Sequence, residues 1–434
     1  MEFKIERAKQ LKEKPVETKL GFGRHFSDHM LVIDYTEGIG WHDGRIIPYG
    51  PIEMDPACMV LHYAQETFEG LKAYRHTDGS IALFRPEINA QRLIKSNERL
   101  CMPPVPVDLF LKGIEELVKY EQDWVPKEPG TSLYIRPFCF ATESGVGLHP
   151  SKKYKFVVIL SPVGDYYPEG VNPVKIWVED EYVRAVKGGT GFAKCGGNYA
   201  ASIAAQVKAE QNGYTQVLWL DGVHRKYVEE VGTMNVMFLI NDTVVTTPLE
   251  GSILPGITRD SIITLLKDLG VTVEERHLSI DELMEAGRTG ALKEAFGTGT
   301  AAVISPIGEL HYKAETVIIN DFKTGKLTKK LHILTGTPMV NIVRKAGLLK
   351  GDYLYYDYKF QNPEVLALYE NFLKYTNMVK EIQKKANNNK LQHNPKIGMH
   401  HRIVAEAILK EQNWIEIAQI EINKMISEMG NDIK

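Results

Sequence analysis

Five glycines fall between residues 188 and 197, in the run Gly188-Gly189-Thr190-Gly191-Phe192-Ala193-Lys194-Cys195-Gly196-Gly197-Asn198-Tyr199. Glycine loses more backbone freedom on ordering than any other residue, so neither a helix nor a strand is favoured there. The fold has to accommodate a tight irregular loop at this point, ahead of a helix predicted from Tyr199 to about Gln211. One long cation, Lys194, rises from that loop. Glycine also lets a ligand approach the backbone closely. The stretch therefore reads either as an amine presented to a bound molecule or as a solvated surface lysine.

The flanking sequence limits the architecture further. Met30–Tyr35, Ile81–Phe84, Leu133–Phe140 and Phe156–Pro162 are rich in β-branched and aromatic residues and read as strands. Ile88–Leu100 and Leu109–Tyr120 carry apolar residues at helical spacing. A turn-rich stretch, Gly164 to Pro173, reads as a linker. Beyond it, strands are predicted at Val174–Glu179, Gln216–Leu220, Asn235–Ile240, Ala291–Phe296 and Ala302–Ser305, with a helix at Arg259–Leu269. Strands and helices alternate with hairpins among them. The fold class is thus mixed α/β rather than a purely parallel doubly wound sheet. The expected division is a small α/β domain over 1–163, a large domain over 174–338 and a helical C-terminal extension over 339–434. The extension carries amphipathic patterns at 362–385 and 402–429.

Bulk properties exclude several functions. A length of 434 residues predicts two or three domains. A net charge of −3 gives no attraction to nucleic acid or anionic membrane. The charged N-terminus has no apolar core of a signal peptide, and no apolar run is long enough to span a bilayer. The four cysteines, at 58, 101, 139 and 195, form no C-x-x-C pair, and the histidines show no metal spacing. These features predict a cytoplasmic protein with no metal. A P-loop and a Rossmann fingerprint are both missing.

Lysine amines in glycine loops form Schiff bases, above all with pyridoxal phosphate. That cofactor needs a lysine for its aldehyde, an acid for its pyridine nitrogen and donors for its phosphate. Lys194 is the candidate amine. Tyr199 is a candidate donor to the phenolic oxygen, or an ordinary helix-start residue. Glu230, ahead of Gly232-Thr233, is a candidate for the pyridine nitrogen, or a surface carboxylate like its neighbour Glu229. Gly256-Ile257-Thr258, opening a helix, and Gly299-Thr300 offer backbone donors to a phosphate, or are only tight turns. Arg85 and Arg184 are candidate guanidinium partners.

Taken together, FGRHFSDHML, HYAQETFEGLKAY, LFRPEINAQRL, LYIRPF, FAKCGGNYAAS, EEVGTMNVMF, GSILPGITRDS and FGTGTAAVISP resemble the branched-chain amino-acid aminotransferases of the fold-type IV pyridoxal-phosphate group. The resemblance runs from about Phe22 to Leu331. It implies a two-domain fold with the cofactor between the domains, Lys194 as the Schiff-base lysine, Tyr199 at the phenolic oxygen and Glu230 at the pyridine nitrogen. It further implies phosphate binding by Arg85 with Ile257, Thr258 and Thr300. Tyr63, Thr300 and Ala301 would receive the substrate carboxylate, and Phe26, Phe68, Tyr134 and Thr233 would wall the side-chain pocket. Arg136 lies in a matching motif without an assigned role. The implied reaction is reversible amino transfer between L-leucine, L-isoleucine or L-valine and 2-oxoglutarate, by a homodimer or higher homo-oligomer in which a loop of one subunit reaches the other's pocket. The alternatives are a D-amino-acid aminotransferase or an aminodeoxychorismate lyase of the same fold, or a non-catalytic scaffold with a partner-binding tail. The sequence departs from the family in two places. It lacks the C-x-x-C of some animal members after Ala301, and it leaves the familiar pattern beyond Leu331.

Overall fold

A computed structural model describes residues 1–76, 79–128, 130–164, 172–329 and 331. Most of the predicted linker and the whole predicted C-terminal extension, with the two helices expected in it, lie outside the described residues. The described residues all fall within one compact unit.

Two sheets dominate that unit. The first comprises β1 (Lys4–Ile5), β2 (His29–Thr36), β3 (Gly40–Pro48), β4 (Glu66–Phe68), β5 (Leu71–Arg75), β6 (Ile81–Leu83), β7 (Ser132–Ala141) and β8 (Lys153–Val163). Its order is β1-β3-β2-β8-β7-β5-β6, with β4 laid against β7. All of these pairings are antiparallel except β1 with β3. The helices α1 (Met59–Tyr63), α2 (Pro86–Arg99) and α3 (Val107–Tyr120) belong to the same stretch of chain. Proline at the first helical position of α2 sets the entry, where its missing N–H costs nothing. Phe110, Ile114 and Leu117 of α3 recur at helical spacing and pack with Leu31, Ile33 and Phe156 of the sheet.

The second sheet comprises β9 (Val174–Glu179), β10 (Gln216–Leu220), β11 (Val228–Val231), β12 (Met234–Ile240), β13 (Thr243–Thr246), β14 (Thr272–Glu275), β15 (Leu292–Gly299), β16 (Val303–Tyr312) and β17 (Glu315–Ile318). The order is β11-β10-β9-β16-β15-β12-β13-β14, with β17 beside β16. A further pairing of β11 with β12 closes β11-β10-β9-β16-β15-β12 into a ring of strands. Parallel pairs (β9 with β10 and with β16) sit among antiparallel ones, so the sheet is mixed. Buried and exposed residues do not alternate along β11. All four of its residues are buried, because both of its faces are covered.

The helix predicted from Tyr199 to Gln211 is two helices, α4 (Gly196–Ala200) and α5 (Ile203–Gln211). The Ser202 hydroxyl donates to the carbonyl of Tyr199 at 2.7 Å. That local bond competes with the regular ladder. The remaining helices are α6 (Ile257–Asp268) and α7 (Ile280–Arg288). Ser279 caps α7 by accepting from the backbone N–H of Glu282 at 3.1 Å. Among the described residues no helix is long and apolar enough to cross a membrane, and no cluster of three His, Cys, Asp or Glu is placed to hold a metal.

Candidate active site

The glycine loop is clamped by β4 and α2. The backbone N–H of Lys194 donates to Ser96 Oγ of α2 at 2.9 Å, and the Lys194 carbonyl accepts from the N–H of Phe68 in β4 at 2.9 Å. The N–H of Gly196 donates to the Glu66 carboxylate. A Cβ at Gly196 would overlap that same carboxylate, so the position excludes every other residue without a shift. The loop is therefore held rather than free, which decides against the solvated-lysine reading of the sequence.

Lys194 faces a cavity of about 380 Å3. Its amine donates to the Tyr199 hydroxyl at 2.6 Å and lies 4.7 Å from the centre of the Phe68 ring. Tyr199 and Phe68 stand ring to ring at 4.9 Å. Burial, reinforced by the Arg92 guanidinium, brings the Lys194 amine down to about 8. Burial likewise pushes the Tyr199 phenol up to about 12, with Arg184 pulling the other way.

Glu230 occupies the cavity wall from β11 and is 2% exposed. Its Oε1 accepts from Asn235 Nδ2 at 2.9 Å, and that amide also holds the Leu254 carbonyl at 3.0 Å. Arg184 Nε lies 2.8 Å from Oε2 as an ion pair, yet is not aligned for a hydrogen bond, so Oε2 lacks a donor. Burial pushes Glu230 up to about 7 against the pull of Arg184. Two further buried polar atoms of the cavity residues have no partner, Thr298 Oγ1 and Arg136 Nε.

The α6 N-terminus contributes Gly256, Ile257 and Thr258 to the cavity. The first N–H groups of a helix have no intrahelical acceptor, and the dipole adds positive potential there. Arg92 of α2 stands beside them. Its Nη1 donates to the Pro255 carbonyl at 3.0 Å, while Nε and Nη2 grip Glu69 at 2.7 and 2.9 Å. Asn89 Nδ2 adds a bond to Glu69 at 2.7 Å.

Of the sequence-predicted residues, the cavity gathers Lys194, Tyr199, Glu230, Ile257, Thr258, Thr300, Phe68, Tyr134, Thr233 and Ala301. Four others are placed elsewhere. Arg85 is not among the lining residues. Its Nη1 donates to Asp260 Oδ2 at 2.7 Å and to Ser261 Oγ at 2.9 Å, because Arg85 precedes α2 in a left-handed conformation that sends it to the side of α6. Phe26 is stacked on Tyr49 at 5.1 Å, and Phe22 lines the cavity instead, edge-on to Tyr134. The Tyr63 hydroxyl donates to the Val146 carbonyl, away from this cavity. Arg184 is spent on Glu230 and on the carbonyls of Ser252 and Gly191, not on a phosphate position. Arg136 does line the cavity; its guanidinium lies 4.7 Å over the Phe68 ring and donates to the Tyr134 hydroxyl at 3.0 Å. The sequence reading missed Arg92. Its signal was Asn89, Arg92 and Ser96, three polar residues at helical spacing on the buried side of α2.

Residues 66–310 match the family model "Amino-transferase class IV". The chain belongs to the class IV aminotransferases. That span runs from β4 to β16 and takes in the clamp, the loop, both carboxylates of β11 and α6. Over 330 residues the chain is 56% identical to branched-chain-amino-acid aminotransferase 2 of Bacillus subtilis (strain 168), covering 76% of this chain and 91% of the relative. It superposes on a crystal structure of the branched-chain aminotransferase from Thermoproteus uzoniensis with norvaline, with a TM-score of 0.59, 26% identity, and 70% and 94% of the two chains covered. The T.th. branched-chain amino acid aminotransferase complexed with N-(5'-phosphopyridoxyl)-L-glutamate gives a TM-score of 0.57 at 25% identity, covering 73% of this chain and 95% of that one. The fold is that of the fold-type IV group.

Proposed function

We propose that this class IV aminotransferase is a branched-chain-amino-acid aminotransferase. It moves the amino group reversibly between L-leucine, L-isoleucine or L-valine and 2-oxoglutarate in two ping-pong halves, with pyridoxal 5'-phosphate as cofactor. The carrying observation is the meeting of Lys194, Tyr199 and Glu230 in one cavity, in a chain this close to an enzyme of that name. The D-amino-acid, lyase and scaffold alternatives have no comparable support.

The residues present fit the cofactor. Glu230 Oε2 is a buried acceptor without a donor, the partner a protonated pyridine nitrogen requires. The α6 N-terminus and the Arg92 guanidinium are what a phosphate requires. When bound, pyridoxal phosphate supplies the electron sink that makes the Cα proton of an amino acid removable. Lys194 would hold it through the amine and, once released, move the proton to and from the substrate Cα. An amine near 8 works close to neutral pH, where a lysine at its ordinary value would stay protonated. Tyr199 orients that amine through their 2.6 Å bond. Glu230 would keep the ring nitrogen protonated.

Phe22, Phe68, Tyr134 and Thr233 form the wall toward the substrate side chain, and the Thr300 and Ala301 backbone receives its carboxylate. The wall is largely apolar, which suits leucine, isoleucine and valine. Arg136 gives it one cation, which the dicarboxylate of the second half-reaction can use. The assembly is a homodimer or higher oligomer, where a loop of a second subunit completes the pocket; Tyr63, which lies outside its own subunit's cavity, suits such a role. Within the chain, residues 1–163 act as the small domain and 174–338 as the large one. A cytoplasmic location suits free thiols at all four cysteines.

The test is the visible spectrum of the cofactor-loaded protein. A band that shifts with L-leucine and returns with 2-oxoglutarate is expected. Turnover of D-alanine with no response to L-leucine would transfer the function to the D-amino-acid alternative.

A further inference from the structure

Glu229 and Glu230 are consecutive residues of β11, so their side chains leave opposite faces of the strand. Glu230 lines the catalytic cavity. Glu229 lines a second cavity of about 260 Å3, whose wall also includes Tyr227, Ser252, Val223 and His277.

Glu229 is only 8% exposed. Its Oε1 accepts from the Ser252 hydroxyl, but Oε2 has no hydrogen-bond partner. Of the basic side chains near it, Arg184 and His277 are committed elsewhere, and Lys187 lines the same wall as an exposed residue. Arg184 gives its nitrogens to Glu230 and to the Ser252 and Gly191 carbonyls. His277 pairs with Glu250 at 3.5 Å. Asp221, another carboxylate of this wall, has both oxygens satisfied by backbone N–H groups of Val223, His224, Lys226 and Tyr227. Burial pushes the Glu229 carboxyl above its usual range, as expected of a charge left under-compensated. A buried carboxylate oxygen without a donor is costly, and a donor that also carries positive charge offsets both parts of the cost. At the rim, Val223 is 72% exposed and Val186 is 40% exposed, which offers apolar contact to short alkyl groups.

We propose that this cavity is a second ligand site, behind the catalytic one, for a small organic cation bearing an N–H donor, with the N–H directed at the Glu229 carboxylate and its alkyl groups against Val223. This assignment does not depend on which substrate the catalytic cavity accepts.

The probe is trimethylammonium chloride. It has one N–H, and as a tertiary amine it cannot condense with the cofactor aldehyde. Saturation-transfer NMR on the cofactor-loaded full chain, at constant ionic strength, reads its binding. Saturable binding is expected, weakened about tenfold or more by Glu229→Gln, as for loss of a charged hydrogen bond. Val223→Arg should weaken it similarly by placing a guanidinium at the mouth, and it decides the matter if Glu229→Gln fails to fold. The proposal is overturned by no saturable binding to the parent protein, by unchanged binding in either folded variant, or by a second copy of the chain filling the cavity in the assembled enzyme.

Discussion

Replacing Arg92 by methionine isolates the interaction that ties α2 to the catalytic cavity. Glu69 is fully buried, and Arg92 meets it with two bonds of 2.7 and 2.9 Å. The substitution leaves Glu69 with the Asn89 amide, the Gly70 N–H and Lys194 as its remaining counter-charge, without a charged hydrogen-bond partner. Breaking a buried pair from one side costs about 3–5 kcal/mol. Replacing both partners, Glu69→Met with Arg92→Met, should recover much of that loss, because no charge remains buried. Burial acts to raise the Glu69 carboxyl, but Arg92 outweighs it and holds the group below its ordinary value. In the parent this contributes stability above the unfolded carboxylate range, lost as pH falls through the depressed folded value. In Arg92→Met only the Lys194 charge and the Asn89 amide still oppose burial, so the carboxyl should rise and the sign reverse. The folded state is then penalised at neutral pH and relieved on acidification, so the deficit between variant and parent shrinks as pH falls. By contrast, Arg85→Met removes a pair whose partner Asp260 is 63% exposed, and should cost under about 1 kcal/mol. Urea unfolding of the cofactor-free protein gives the energies. Titration with pyridoxal phosphate, using the conservative Arg92→Lys, gives the second readout. Arg92→Lys should loosen the cofactor more than Arg85→Met does. The reverse ranking would refute the placement of the phosphate beside Arg92 and return it to Arg85.

Lys194→Ala should abolish transamination in a stopped spectrophotometric assay while circular dichroism shows the fold retained; residual full turnover would remove Lys194 from the mechanism. Because the folded amine lies near 8 and the unfolded one at 10.5, the unfolded chain binds more protons between these values. The cofactor-free parent should therefore gain stability relative to Lys194→Ala as pH rises from about 8 to 10, and melting curves showing a fall would contradict the assignment. Gly196→Ala pushes the Glu66 carboxylate off the loop N–H it accepts from and should cost about 0.5–1.5 kcal/mol, the worth of that hydrogen bond, measured by urea unfolding; a neutral result would mean that this bond does not hold the loop. Glu230→Gln keeps the shape and the Asn235 contact but cannot hold a ring nitrogen protonated by its charge. Turnover should fall by about 100-fold or more with cofactor still bound, and an undiminished rate would exclude the acid role.

The parts of this fold legible in sequence are those with a strong local period. Helices α2 and α3 carry apolar residues at helical spacing, and β7, β8 and β12 carry long, mostly buried apolar stretches. Short strands such as β4 and β11 have no period of their own. The pairing of β11 with β10 and β12 forms the latter, and that pairing closes a ring between segments far apart in the chain. The site divides along the same line. Lys194 and Tyr199 were readable because one loop and one helix start carry both. Arg85 and Arg92 occur in a single motif, and nothing in composition separates a guanidinium that lines the cavity from one that pairs with Asp260. The choice is made by Glu69, which lies in the turn between β4 and β5 and fixes Arg92 from a distance of 23 residues in the chain. Phe22 and Phe26 pose the same problem, since both are aromatic and lie in one stretch ahead of β2. Tyr134 of β7 receives the edge of Phe22, while Tyr49, just past β3, stacks on Phe26. Roles that depend on a partner brought from another strand become readable only when the register of the sheet is known. Glu229 shows the consequence most clearly: beside Glu230 it read as an ordinary surface carboxylate, and only the strand beneath it reveals that it faces a cavity of its own.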